Sequence, residues 1–169
     1  MAAAITFNCQ NMKAEDFQIT KERSIKRGWL YSITHPEWAE LSPSFAVADN
    51  PTPNELRRAI ESVINEHTRQ RITEGFVYDF GDGPRRVWLS SENQANYAAY
   101  LKAAELGAKQ ITLKVEDTDG AVCYQDVTPT AYTDFYLSLV AHIKTQIEHG
   151  WHQKDSIDYA LLASKVEDL

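Results

Sequence analysis

Two different spacings of hydrophobic residues alternate along the chain from residue 53 onward, and this alternation limits the possible folds more than any other feature. Stretches with an apolar residue every three or four positions predict helices, whereas stretches with every second residue apolar predict half-buried strands. The strand-like stretches come in two pairs, and a turn containing glycine joins the members of each pair. Such pairs are typical of antiparallel hairpins, so the sequence predicts an α+β fold with two short antiparallel hairpins packed against three to four helices.

Four segments carry the helical spacing. They cover residues 53–69, 91–107, 129–150 and 155–166. Thr52 and Glu55 form a capping box, in which each side chain accepts a hydrogen bond from the other residue's backbone N–H, and Ser91 with Gln94 predicts a second one. Gly150 is placed to end the third helix, which has the longest apolar stripe of the four.

The two predicted hairpins differ in how clearly their faces are marked. They pair residues 76–80 with 86–89, and residues 111–116 with 121–125. Along residues 111–116, apolar and polar side chains alternate without a break, so one face of this hairpin is expected to be buried and the other solvated. Asp119 and Gly120 supply the turn between the two strands of the second hairpin.

Residues 1–50 have a weaker pattern than the rest of the chain. Pro51 and Pro53 interrupt any periodic spacing, which marks a boundary at this point. Before it, residues 5–7, 28–33 and 44–47 have the composition of strands. The sequence therefore predicts a small β-rich N-terminal attachment segment, residues 1–50, followed by the α+β domain, residues 51–169.

Composition excludes several classes of protein. Apolar residues make up 43% of the 169-residue chain and aromatic residues 11%, which is typical of a folded domain and not of a disordered chain. The formal charge of −7 argues against binding to nucleic acid, because that affinity comes mostly from neutralising phosphates with lysine and arginine. The same charge argues against binding to an anionic membrane surface.

The compartment is predicted from the beginning of the chain and from the cysteines. The first residues have neither the basic start nor the apolar run of a secretory signal, and no segment has the length of a membrane span. Cys9 and Cys123 lie far apart in the sequence, and reduced thiols are expected in a protein made in the cytosol. A single disulfide between them stays open as the alternative.

No residue pattern predicts catalysis, a cofactor or a metal site. His142, His149 and His152 lie close together in the sequence, but no cysteine or acidic residue completes a zinc-binding spacing, so we expect them to face solvent near a helix end. Asp117 and Asp119 resemble part of a calcium loop, and hairpin-turn aspartates explain them better. The prediction is a protein that is not an enzyme; a small hydrolase is an alternative that would need a polar pocket that no spacing predicts.

Three aromatic residues near the N-terminus are the candidate contact residues. Trp29, Tyr31 and Trp38 cluster in a short segment with prolines nearby. Tryptophan and tyrosine are enriched where proteins bury one another, which makes this segment a candidate protein interface. Packing in the core of a small β-unit is the alternative explanation, and the sequence does not decide between the two.

Several short motifs occur in a distinctive order between residues 56 and 157. They are I-x-x-G-F at 72–76, W-L-S-x-x-x-Q-x-N at 88–96, H-I at 142–143 and G-W-x-x-K-D-x-I at 150–157. This order resembles a small domain of unknown function that is encoded among the tail and virion structural genes of tailed bacteriophages and prophages. The resemblance carries no catalytic motif and assigns no functional residue.

The resemblance implies a non-enzymatic bacteriophage structural protein, such as a tail, baseplate or head-decoration component. Its partners would be other virion proteins and further copies of itself, with no nucleic acid and no membrane involved. It would be assembled in the bacterial cytoplasm and end in the virion, docking through Trp29, Tyr31 and Trp38. A tail-fibre assembly chaperone that is absent from the mature virion is the alternative implied by the same resemblance.

Overall fold

The computed structural model describes residues 18–25, 28–34, 44–47 and 51–169, and these residues form seven strands and four helices. In chain order the elements are β1 (Gln18–Ile25), β2 (Gly28–Thr34), β3 (Ser44–Val47), α1 (Pro53–Glu74), β4 (Phe76–Asp79), β5 (Pro84–Val87), α2 (Ser91–Glu105), β6 (Ile111–Glu116), β7 (Val122–Val127), α3 (Pro129–Asp155) and α4 (Tyr159–Glu167). The predicted α+β class, with two hairpins, helices and a β-rich N-terminal part, is confirmed. No helix in the described ranges has both the length and the apolar character that crossing a bilayer requires.

The chain divides into two compact units. The first unit combines Met1–Asn65 with Trp151–Leu169, and the second is Glu66–Gly150. Both boundaries fall inside helices, one in α1 and the other in α3, so the first unit is built from two separated stretches of the chain. The division predicted between residues 50 and 51 stays a prediction, and the predicted strand at 5–7 lies outside the described residues.

The first unit contains the antiparallel sheet β1-β2-β3. Because successive side chains on a strand point to opposite faces, Trp29, Tyr31 and Ile33 of β2 share one face. That face packs against α1 and α4 and forms the core of the unit. Its buried residues are Tyr31, Ile33, Phe45, Val47, Leu56, Ile60, Ile64, Ile157, Tyr159, Leu162, Ala163 and Val166.

The predicted capping box at the start of α1 is confirmed. The Glu55 N–H donates to the Thr52 hydroxyl at 3.3 Å, and the Thr52 N–H donates to the Glu55 carboxylate at 2.8 Å. The Thr52 hydroxyl also donates to the Glu55 carboxylate at 2.9 Å, and the two hydrogen bonds that this carboxylate accepts from Thr52 lower the pKa of Glu55. The helix continues to Glu74, beyond the predicted end at residue 69, and Gly75 with φ of +82° stops it.

The second unit contains the antiparallel sheet β4-β5-β6-β7, with α2 and the described length of α3 up to Gly150 supplying its helices. One face of this sheet is buried. Its core residues are Val87, Leu89, Tyr97, Ile111, Leu113, Val115, Val127, Tyr132, Phe135 and Leu139. Cys123 has a free thiol, as the reduced state predicts, and is half-buried on the same face; Cys9 lies outside the described residues.

Two predicted helix boundaries are corrected. The N-cap of α2 is Ser90 and not Ser91: the Asn93 N–H donates to the Ser90 hydroxyl at 3.2 Å, and the Gln94 side chain donates to the Leu89 carbonyl. The last helix begins at Tyr159, because the Asp158 side chain accepts hydrogen bonds from the backbone N–H groups of Ala160 and Leu161.

Gly150 does not end α3, which continues to Asp155. Instead Gly150 is buried against Thr68 of α1, and a Cβ built on it would lie 2.5 Å from the Thr68 hydroxyl oxygen. A glycine here lets the two helices approach closely. The prediction that Gly150 ends the helix is therefore wrong, and the glycine serves the close approach of the two helices.

Candidate protein interface

The second unit exposes one whole face of its sheet, which we call the open sheet face. Its members are the outward-pointing residues Val77, Asp79, Pro84, Arg86, Thr112, Lys114, Glu116, Val122, Tyr124 and Asp126. Nine of these ten are exposed, and Glu116 is half-buried. The residues between them point to the other face, where the core lies.

Three members of the open sheet face are large and apolar. Val77 is 63% exposed, Val122 is 53% exposed and Tyr124 is 75% exposed. Val122 and Tyr124 are two positions apart on β7 and therefore adjacent on the face, while Val77 lies on β4 at the opposite edge. Apolar side chains at outward strand positions gain nothing from the core, so this placement marks a surface that another protein can bury.

Charged residues of both signs stand between these apolar residues. Arg86 and Lys114 are basic, whereas Asp79, Glu116 and Asp126 are acidic. The Thr112 hydroxyl donates to the Asp126 carboxylate at 2.6 Å, and this bond lowers the pKa of Asp126. Balanced charge of this kind suits a protein partner better than a phosphate backbone, which requires a basic surface.

The aspartates at the two hairpin turns serve the turns themselves. The Asp117 carboxylate accepts from the N–H groups of Asp119 and Ala121 at 2.9 and 3.0 Å. Asp79 does the same for Gly81 and Gly83 in the first hairpin. These are the bonds of Asx turns, and within residues 18–25, 28–34, 44–47 and 51–169 no three potential metal ligands come together.

An aromatic cluster fills the other side of the sheet. Phe135 of α3 is fully buried and its ring contacts five others, with centroid distances between 5.4 and 6.1 Å; the five are Phe76, Tyr78, Phe80, Tyr97 and Tyr132. The Tyr132 hydroxyl donates to the Tyr97 carbonyl at 2.7 Å. Burial raises the pKa of Tyr97 to about 12 and raises that of Tyr132 further. The cluster is therefore a core and not a reactive pocket.

The three histidines do not all face solvent as expected. His142 is half-buried and stacks on Phe76, with ring centroids 5.2 Å apart, and burial lowers its pKa. Its Nε2 atom is buried and has no hydrogen-bond partner among the residues that the structure describes. His149 is also half-buried, whereas His152 is exposed. The prediction was wrong for His142 because it belongs to the apolar side of α3, which the helix period carries past Leu139.

The predicted N-terminal contact residues have different positions. Tyr31 is 2% exposed and stacks on Phe45 at a centroid distance of 5.9 Å, so it lies in the core. Trp29 is half-buried against the same core, and the Lys21 ammonium lies 4.2 Å from its ring centre. Trp38 lies outside the described residues. The set as a docking surface stays a prediction, and within it Tyr31 has almost no surface to offer a partner.

The sequence carries a signal for part of the open sheet face. Val122 and Tyr124 flank Cys123 in the strand predicted at 121–125, and a buried thiol at position 123 puts both neighbours on the outward side. Two apolar side chains at outward positions break the expected alternation of strands with one solvated face. The position of Val77 depended on the pairing of β4 with β5, which the sequence does not give.

Comparison with known proteins gives one result. A family described as Domain of unknown function (DUF4376) matches residues 55–168. The match begins in the first turns of α1 and ends just after α4, so it includes all of the second unit. No curated protein and no solved structure is significantly similar to the chain.

Proposed function

This chain belongs to the DUF4376 family of domains of unknown function, and we propose that it is a non-enzymatic structural protein of a bacteriophage particle, acting through protein–protein contacts. The proposal places it in the tail, the baseplate or the head decoration. Its partners are other virion proteins. The order of sequence motifs, which resembles a domain encoded among virion structural genes, supports this assignment.

The observation that carries the proposal is the open sheet face. A monomeric protein usually covers a sheet on one side and makes the other side polar, because exposed apolar side chains favour association. Here Val77 stands at one edge of the sheet and Val122 with Tyr124 at the other. Tyrosine is among the residues that contribute most to binding energy at protein interfaces.

The mixed charges of the open sheet face add selectivity to this contact. Arg86 pairs across strands with Glu116, and Lys114 pairs with Tyr124, so both signs of charge lie between the apolar residues. A partner would need the complementary arrangement, and a partner of uniform charge would meet like charges. This is the pattern of a specific docking surface with a polar surround.

The first experiment is quantitative mass spectrometry of gradient-purified particles from the source phage or induced prophage. We expect the protein in particles at an integer ratio to the major capsid protein, and that ratio gives its symmetry. Absence from particles, with the protein abundant in the lysate, would overturn the structural role. Copurification with a fibre protein in that case would identify a tail-fibre assembly chaperone instead.

A second experiment tests the open sheet face as the docking surface. The Val77→Glu variant places a carboxylate at an outward position on β4, where no core contact is lost. We expect it to fold normally and to be missing from particles. Leu137→Glu on α3 is the matched control, because Leu137 is equally exposed, at 62%, and lies outside the face. Incorporation of Val77→Glu at the control level would contradict the assignment of this surface.

The N-terminal aromatic residues are proposed as a second docking surface. Replacing Trp29 and Trp38 together with serine is expected to abolish assembly and to leave the second unit folded. Trp29 packs against the first core, so the thermal unfolding of both units must be measured with the same sample. Normal assembly of this double variant would remove the N-terminal residues from the proposed contact.

A further inference from the structure

We infer that two copies of this chain associate through β7, which pairs antiparallel with β7 of the second copy around a two-fold axis at Tyr124. The result is one continuous sheet made from the four strands of each copy. This inference goes beyond the proposed function and does not depend on it, because it concerns the strand edge of the sheet and not its face.

The first reason is that β7 is an edge strand without the usual protection. It is the last strand in the order β4-β5-β6-β7, and its pairing with β6 runs without a break from Ile111 opposite Val127 to Glu116 opposite Val122. Proteins usually block a free edge with a bulge, charged residues or a very short strand. Among the described edges, β1 has a bulge between Lys21 and Arg23, and β3 and β4 have only four residues each.

The second reason is the direction of the backbone groups of β7. The Asp117 N–H donates to the Ala121 carbonyl, which identifies this pair as hydrogen-bonded across the hairpin. In an antiparallel ladder such pairs alternate with pairs that are not bonded, so Cys123 and Gln125 direct their N–H and C=O groups toward β6. Val122, Tyr124 and Asp126 therefore direct theirs outward, away from the sheet.

These outward groups have little to bind within the described part of the chain. The one hydrogen bond found there is from the Gln125 side-chain amide to the Asp126 carbonyl, at 3.4 Å between residues adjacent in sequence. A strand added at this edge replaces that weak contact. Tyr124 stands in the middle of the three outward residues, so the set is symmetrical about it.

A two-fold axis at Tyr124 satisfies every outward group of both strands. Tyr124 then lies opposite the second copy's Tyr124, and Val122 lies opposite the second copy's Asp126. Each of these is a hydrogen-bonded pair that exchanges two N–H to C=O bonds. Residues 122–126 of β7 pair with the same five residues of the second copy, and no turn residue is needed. Self-complementarity of this kind is what a two-fold interface requires.

The length of the pairing selects this register over the two neighbouring ones with the same facing. An axis at Cys123 would place Asp126 opposite the second copy's Gly120, in the turn, and an axis at Gln125 would place Val122 opposite the second copy's Thr128, beyond the end of β7. With the axis at Tyr124, all three outward residues have a partner within β7. With the axis at Tyr124, the two Asp126 carboxylates lie at opposite ends of the interface, about 13 Å apart along the strand at ~3.3 Å per residue.

The first test uses proline at the axis and sedimentation equilibrium of the full chain. In Tyr124→Pro the outward N–H is removed, and no bond to β6 is lost because this N–H does not face β6. We expect the wild type to dimerise and the proline variant to bind itself about tenfold more weakly or not at all. Tyr124→Thr keeps the N–H and is expected to dimerise, which separates the strand pairing from the loss of the ring.

The second test reads the register directly, in a chain with Cys9→Ser and Cys123→Ser. Adding Tyr124→Cys puts two thiols on opposed residues with Cα atoms about 5.5 Å apart, which is within disulfide range. We expect a disulfide-linked dimer under oxidised glutathione. Adding Val122→Cys instead leaves the thiols about 13 Å apart along the strand, and this control is expected to stay unlinked.

Three results would overturn the inference: a monomer at all concentrations, an unchanged dimer in Tyr124→Pro, or cross-linking through Val122→Cys in place of Tyr124→Cys. The outcome is separable from that of the proposed function. A monomer that still enters particles would remove the dimer and leave the structural role. A dimer that is absent from particles would do the opposite.

Discussion

Tyr31 and Tyr124 both lie in antiparallel sheets of this chain, but Tyr31 is 2% exposed and Tyr124 is 75% exposed. Tyr31 belongs to the central strand of its sheet and points to the face that α1 and α4 cover. Tyr124 belongs to an edge strand and points to the open sheet face. The comparison shows that an aromatic residue in a strand can belong to a core or to an exposed surface. Which of the two applies depends on the face of the sheet that it occupies.

The edge strands of the two sheets show a similar contrast: the first sheet is protected and the second is not. Strand β1 carries Lys21, Glu22 and Arg23 around a bulge, which are the features that prevent a further strand from pairing. Strand β7 carries one charged residue, Asp126, and has a regular register. The first sheet is therefore protected at its described outer strand, whereas the second sheet is open both on a face and at an edge.

The largest expected effect separates the two tyrosines directly. Tyr31→Ala removes a fully packed ring and is expected to lower the free energy of unfolding by about 3–5 kcal/mol. Tyr124→Ala is expected to change it by no more than ~0.5 kcal/mol when the chain is dilute enough to be monomeric. Urea denaturation followed by circular dichroism measures both. Equal losses in the two variants would show that the face assignment is incorrect.

The next largest effect is expected at Gly75, where the backbone packs closely against β5 of the second sheet. A Cβ on Gly75 would lie 1.7 Å from the Val87 carbonyl oxygen, at a φ of +82°. Gly75→Ala is expected to cost about 2 kcal/mol or more, because left-handed backbone alone costs an alanine ~1–2 kcal/mol. Gly107→Ala has a similar φ with no atom within 4 Å and should cost less. Thermal melts of both variants measure the difference.

A smaller effect concerns pH and the aromatic core. Burial lowers the pKa of His142 below its ordinary value of 6.5, so the unfolded chain binds a proton more readily than the folded chain. Stability is therefore expected to fall as the pH drops below about 6.5. In His142→Phe this loss should be smaller, whereas the exposed His152→Phe should follow the wild type. Urea midpoints at about pH 7 and pH 5 measure it.

The smallest expected effect belongs to the first sheet. The Lys21 ammonium lies 4.2 Å from the centre of the Trp29 ring, and such a contact contributes about 0.5–1 kcal/mol. Lys21→Met keeps the stem and removes the charge, so the loss should be of that size. Lys109→Met is the control, because Lys109 is exposed and makes no cation–π contact within the described part of the chain. Identical urea midpoints for the two variants would mean that the contact adds no stability.

Local signals predicted most of the fold. The alternation along residues 111–116 and the capping box of Thr52 and Glu55 depend on neighbours in sequence, and both are confirmed. The prediction that Gly150 ends a helix was wrong because glycine is needed there for another purpose: Thr68 of a different helix packs against it. A contact between two helices that are far apart in sequence does not change the spacing of hydrophobic residues in either helix, so the sequence pattern does not reveal it.

The candidate site was harder to predict than the fold for a related physical reason. A strand pattern gives two faces, but which of them is covered depends on where helices pack. The aromatic residues around Trp29 suggest an interface because large aromatic side chains are common there. Large side chains also fill cores, and Tyr31 does so. A valine in a strand, such as Val77, is common and does not by itself indicate an interface. Its exposure becomes apparent only when the strands are assembled into the sheet.

The division of the first unit between two stretches of the chain has a consequence for biosynthesis. In the growing chain, residues 66–150 form one uninterrupted segment, so the second unit can close without any residue that follows Gly150. The first unit must wait, because its core needs Leu162 and Val166 from α4. Until those residues are translated, the apolar side of β2 cannot be fully buried. During this interval the nascent chain is most accessible to chaperones and proteases.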